Sequence, residues 1–94
     1  MTLEQLRIFI AVAEKQHVTQ AASELNLTQS ATSAAIAALE TRYDIKLFDR
    51  IGRGIVLTQI GRDFLIEARA VEQQVERVGD RRQNDGRVHE SRAA

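Results

Sequence analysis

Between Thr19 and Tyr43 the chain carries two helical patterns separated only by Asn26, Leu27 and Thr28, and that brevity limits the fold more than any other feature. Thr19 is placed to cap a short helix over Gln20 to Leu25, with Ala21, Ala22 and Leu25 turned inward. Asn26 and Leu27 then make a tight turn. Thr28 is a second cap, followed by residues 29–43, where Thr32, Ala35, Ile36, Leu39 and Tyr43 share one stripe. A short helix, a turn and a longer helix in this arrangement predict a helix-turn-helix.

The flanking segments add to it. Thr2 to Gln16 places Leu3, Leu6, Phe9, Ile10 and Ala13 at helical spacing, and Thr2 with Gln5 fits a capping box. Past residue 43 the apolar runs Ile45, Leu47, Phe48 and Ile55, Val56, Leu57 flank Gly52, Arg53 and Gly54, which predicts a small hairpin. Thr58 caps a last helix from Gln59 to about Val78. Its positions Phe64, Ala68, Val71, Val75 and Val78 alternate spacings of four and three, a heptad seam. A head this small cannot cover such a stripe alone, so the seam is expected to pack on the same helix of a second copy. Gly79 to Ala94 offers a single large aliphatic, Val88, and is expected to be a disordered tail.

Composition narrows the function classes. At 94 residues the chain can support one core, but it buries too little surface to enclose a substrate pocket as well. It has no cysteine and two histidines, so neither a disulfide framework nor a thiolate metal site is available, and no cofactor is expected. Glu14, Glu24 and Glu40 are scattered without a nucleophile or a second histidine nearby, so no enzyme is expected. Nothing approaches the ~20 apolar residues of a membrane span, and Met1 to Ile10 lacks the basic start of a secretory signal. The expectation is a soluble, cytoplasmic chain with no membrane partner.

Net charge is zero, which by itself argues against a nucleic-acid partner, but the charges are unevenly placed. Residues 41–62 hold Arg42, Lys46, Arg50, Arg53 and Arg62 against Asp44 and Asp49, whereas the segments on either side are net acidic. A local basic segment can present one electropositive face, and that near field is what a phosphate meets.

On a helix advancing about 100° per residue, Gln29, Ser30, Ser33, Ala34 and Ala37 fall within roughly 140° of one another, away from the inward stripe. Small side chains there let a helix backbone approach a major-groove floor. Gln29 can donate to and accept from adenine together, while Ser30 and Ser33 suit base edges or phosphates. Thr28 stands where unpaired N–H groups favour a phosphate oxygen. Arg53, between two glycines, is placed for a minor groove, and Arg50 for the phosphate backbone. The plainer readings are a solvated polar helix face, a capping threonine and an ordinary turn arginine. His17, at the break between the first two helices, is read as a capping or surface group rather than a ligand.

Several stretches resemble the bacterial LysR-type transcriptional regulators. They are Leu6 to Glu14, Thr19-Gln20-Ala21-Ala22, Leu27-Thr28-Gln29-Ser30-Ala31-Thr32-Ser33 leading to Leu39-Glu40, Leu47-Phe48-Asp49-Arg50, and Gly52-Arg53-Gly54 through Thr58 to Gly61. The resemblance covers Met1 to about Val78. It implies a mainly α winged helix-turn-helix with three helices and a hairpin wing over residues 1–58, a linker or dimerisation helix over 59–78, and a tail over 79–94. It further implies sequence-specific binding of double-stranded DNA at an inverted repeat as a homodimer, with the helix over 28–43 in the major groove and the wing over 50–54 in the minor groove. Thr28, Gln29, Ser30, Ser33, Ala34, Arg50 and Arg53 would then meet DNA, and Phe64, Ala68, Val71, Val75 and Val78 would meet the second copy. Two positions depart from the pattern. Ala34 stands where many members have arginine, which shifts recognition toward the wing and DNA shape, and Ser30 stands where proline is frequent, which exchanges a rigid apolar contact for a hydrogen-bonding one. The effector-sensing domain of the family has no counterpart here, so a small molecule would act only through a domain absent from this chain. The chain is expected to be a fragment or a naturally short relative, with residues 79–94 resembling the stub of a cut. The rival from another class is a winged helix that binds only other proteins, whose association would hardly respond to salt.

Overall fold

The computed structural model describes residues 1–52 and 54–93, with side chains as far as Gly79. Helix α1 (Leu3–Lys15) begins at the expected capping box, in which Thr2 Oγ1 accepts the Gln5 N–H and Gln5 Oε1 accepts the Thr2 N–H, each at 3.1 Å. Ile8 and Val12 are buried along with Leu6, Phe9, Ile10 and Ala13, more than one stripe, because every other helix packs against α1. Leu3, read as inward, is exposed in the first turn, at the edge of the core.

Helix α2 (Val18–Glu24) is capped by His17 and not by Thr19. Gln16 closes α1 in the left-handed conformation, φ 51°, which leaves His17 as the first extended residue. Its Nδ1 accepts the Gln20 N–H at 3.2 Å, and Thr19 falls inside the first turn. Asn26, φ 57°, makes the tight turn. Helix α3 (Gln29–Tyr43) starts where expected: Thr28 Oγ1 accepts the Ala31 N–H at 3.0 Å. Thr32 is fully buried, and its hydroxyl donates to the Thr28 carbonyl at 2.9 Å, so this polar group in the core is satisfied. Tyr43, read as inward, is exposed at the last turn, with the Arg42 guanidinium 5.7 Å from its ring centre.

Strands β1 (Phe48–Ile51) and β2 (Gly54–Leu57) form the hairpin, pairing Phe48 with Leu57, Arg50 with Ile55 and Ile51 with Gly54. Two residues connect them. The first, Gly52, has φ +59°, the left-handed backbone that the tight hairpin turns demand. Helix α4 (Gln59–Ala93) follows at once. Its backbone stays helical past Val78, where the sequence reading ended it, because the chain has no proline to stop it and each glycine costs a helix only about 1 kcal/mol. The tail expected over 79–94 lies, from residue 80 onward, outside the residues whose side chains are described. No helix among the described residues is long and apolar enough to cross a membrane.

Helix α4 is fastened to the head at the Leu47 carbonyl. The Thr58 N–H donates to it at 3.0 Å, the Thr58 hydroxyl reaches both it and the Lys46 carbonyl, and Thr58 Oγ1 accepts the Gly61 N–H at 2.9 Å. A Cβ on Gly61 would stand 2.2 Å from the Leu47 oxygen and 2.9 Å from Leu57 Cδ2. Gly61→Ala should therefore destabilise the head by about 2 kcal/mol in urea unfolding, since the clash with backbone outweighs the ~1 kcal/mol of helix propensity gained. A variant as stable as the parent would show that α4 can shift away from Leu47 at no cost.

The first turns of α4 complete the core. Phe9, fully buried, has Phe48 at 5.6 Å and Phe64 edge-on at 5.0 Å between ring centres. Leu65 and Ala68 are buried beside them, and Arg69 pairs with Glu14 of α1 at 3.5 Å. This divides the expected heptad seam. Phe64 and Ala68 are engaged inside the head, whereas Val71, Val75 and Val78 are 47%, 37% and 52% exposed. Ile60, 51% exposed, turns to the same side of the helix by its spacing from Val71.

Candidate nucleic-acid interface

The exposed side of α3 carries no charge from Gln29 to Leu39, and the packing divides its residues among three rows. Ser30 and Ala34 lie furthest from the buried Thr32, Ile36 and Leu39. On one flank Gln29 and Ser33 turn toward the hairpin. Ser33, Ala37 and Glu40 line a depression with Phe48, Arg50 and Ile55, and Gln29 lines a neighbouring cleft with His17, Thr19, Arg50, Gly52 and Gly54. On the other flank Ala31, Ala34 and Ala38 line a shallow groove with Leu27 and Ile8.

Arg50 reaches α3 for a reason of register. Opposed residues of an antiparallel pair share a face, so Arg50 and Ile55 stand on the face that also carries the buried Phe48. Glu40 fixes the distance between the two elements, because its Oε2 accepts the Leu47 N–H at 2.8 Å just ahead of β1. In the sequence Glu40 is one of three scattered carboxylates with no sign of a role. Its partner is seven residues away across the turn at Asp44, φ 50°, and no local pattern announces that bond.

The basic segment does not act as one block. Lys46 is paired with Asp49 at 3.3 Å, and Arg42 lies over Tyr43 at the far end of α3. Arg50 makes no ion pair among the described residues and stands at both depressions beside α3. Arg53 lies outside the described residues. Of the residues singled out by sequence, then, Gln29, Ser33 and Arg50 come together, Ser30 and Ala34 stand on the outer crest with Ala34 also edging the groove toward α1, and Thr28 caps α3.

A helix-turn-helix followed by a two-stranded hairpin is a winged helix, and the comparison with known proteins gives its lineage. The family model for the bacterial regulatory helix-turn-helix proteins of the lysR family matches residues 3–62. The chain belongs to the LysR family. A relative, the uncharacterized HTH-type transcriptional regulator YvbU of Bacillus subtilis, is 42% identical over 79 residues, which is 83% of this chain and 27% of that protein. The chain thus spans about a quarter of the length of that relative. Among solved structures, the CbnR DNA-binding domain in complex with DNA superposes with a TM-score of 0.83 at 37% identity, covering 92% of this chain and 99% of that one. The BenM DNA-binding domain bound to catB site 1 DNA gives 0.85 at 32% identity, covering 89% and 93%. This LysR-type head therefore has the mainly α winged helix-turn-helix architecture of DNA-binding domains.

Proposed function

We propose that this chain binds double-stranded DNA in a sequence-specific way, as the reading head of a LysR-type transcriptional regulator in the bacterial cytoplasm. Residues 1–58 read, with the first turns of α4 beneath them. Helix α3 enters the major groove through Gln29, Ser30, Ser33 and Ala34, with Thr28 at its phosphate-facing end. Arg53 enters the minor groove and Arg50 meets the backbone. The observation that carries the reading is the juxtaposition of an uncharged, small-residue side of α3 with Arg50 on the adjoining hairpin, which has no ion-pair partner among the described residues. Two chains act together through the exposed valines of α4 on an inverted repeat. The chain acts by binding and not by catalysis, and a response to a small molecule belongs to parts of the regulator outside it. A winged helix that binds only proteins finds less support, because both solved relatives named above hold DNA.

Fluorescence anisotropy against a selected site and a scrambled duplex tests the assignment. Arg53→Ala should weaken binding to both and lower the salt slope by about 1, since one phosphate-field contact is lost. Gln29→Ala should weaken the selected site by about 1–3 kcal/mol and relax discrimination at one base pair. Equal loss on both duplexes for Gln29→Ala would defeat the base-reading role. Affinity unresponsive to salt would defeat the DNA reading altogether.

A further inference from the structure

The cleft between α3 and the hairpin has a donor on its far wall that base reading leaves unused. With α3 in the major groove and the hairpin in the adjoining minor groove, the sugar–phosphate strand dividing those grooves has to pass between the two elements. That passage is the cleft lined by His17, Thr19, Gln29, Arg50, Gly52 and Gly54. Among the described residues no acidic side chain lines it, and the acids nearest in sequence are held elsewhere, Asp49 by Lys46 at 3.3 Å, Glu14 by Arg69 at 3.5 Å and Glu24 by Lys15 at 3.3 Å. Gly52 and Gly54 bring no side chain of their own to the hairpin wall, so that a strand can come close to the backbone at these two positions.

His17 is held in one orientation. Its Nδ1 accepts the Gln20 N–H at 3.2 Å, so in this geometry the ring proton sits on Nε2, on the opposite edge of an exposed ring. The side chains of Thr19 and Arg50 are exposed and make no hydrogen bond or ion pair to any described residue, so both remain free to donate. Three donors of different reach therefore surround a cleft without acceptors of its own charge.

We infer that this cleft is a slot for one phosphodiester of the strand dividing the two grooves, held by His17 Nε2–H, the Thr19 hydroxyl and the Arg50 guanidinium. The inference rests on the DNA-binding reading above. His17 thus has two tasks on two edges of one ring: Nδ1 caps α2, and Nε2 donates to the phosphate.

The two tasks separate in His17→Ser, because serine is a good helix cap but has no donor of that reach. The variant should keep the parent's urea midpoint and lose affinity by about tenfold, the scale of one hydrogen bond to a charged group, by the same factor on a selected and a scrambled duplex. Duplexes with a single neutral methylphosphonate at successive positions then locate the contact. At one position the parent should lose affinity and His17→Ser should lose no more. Affinity equal to the parent's, or additive losses at every position, would overturn the slot while leaving DNA binding intact. A parent chain that binds no duplex would overturn the function itself, which is a separate result.

Discussion

Replacing Val71 and Val75 together by aspartate should leave the head folded and make the chain monomeric. Both residues are substantially exposed, at 47% and 37%, and neither belongs to the core cluster built around Phe9. The change therefore removes little that the isolated chain uses. In a dimer it would bring like charges into an apolar interface where they have no partners, a cost of several kcal/mol. The consequence for DNA is larger still. On the proposed reading, two heads joined by α4 meet an inverted repeat as one ligand, and loss of that linkage should lower affinity for the paired site by about 10²–10⁴-fold. Binding to a single half-site should hardly change. Sedimentation gives the oligomeric state and anisotropy on one- and two-half-site duplexes gives the affinities. A double variant that still sediments as a dimer would move the interface away from these valines.

Phe9→Ala should be the most damaging single change to stability. The ring is fully buried and stands between Phe48 at the start of the hairpin and Phe64 on α4, so the hairpin, the long helix and α1 all meet on it. Truncating such a residue removes its burial and leaves a cavity, typically about 3–5 kcal/mol. A small domain has about 5–15 kcal/mol in all, so a large part of the population would unfold near physiological temperature. Urea unfolding followed by circular dichroism should show a lower midpoint with an unchanged slope. Phe9→Leu, which refills much of the space, should recover more than half of the loss. A midpoint within about 1 kcal/mol of the parent's for Phe9→Ala would mean that the hairpin and α4 are held chiefly by the Thr58 and Gly61 contacts.

Local signals were legible wherever a residue answers to its immediate neighbours. The Thr2 and Gln5 box, the Thr28 cap and the inward positions Thr32, Ile36 and Leu39 all follow from spacings of three and four, and each stands where the sequence placed it. The hairpin was legible too, because glycines between apolar runs leave few alternatives. The errors share one cause. Thr19 satisfied the composition of a cap, but the left-handed close of α1 at Gln16 moved the start of α2 to His17. Phe64 and Ala68 satisfied a heptad, but α1 reaches the first turns of α4, burying Ala68 and partly covering Phe64 within the same chain. Tyr43 satisfied the α3 stripe and its ring does reach Phe64, 6.4 Å between centres, but at the last turn of α3 it stays 43% exposed.

The amino-acid sequence alone determined the helices, the caps of α1 and α3, the hairpin and the uncharged side of α3, since periodicity and capping are short-range effects read over a few residues. Only the tertiary structure decided which apolar positions of α4 remain open to a partner, that Arg50 faces α3, that Glu40 ties α3 to the hairpin, and that His17 closes one side of a cleft. Those facts depend on how elements distant in the chain meet in space, where strand register and close approach at Gly61 decide what a spacing rule cannot reach.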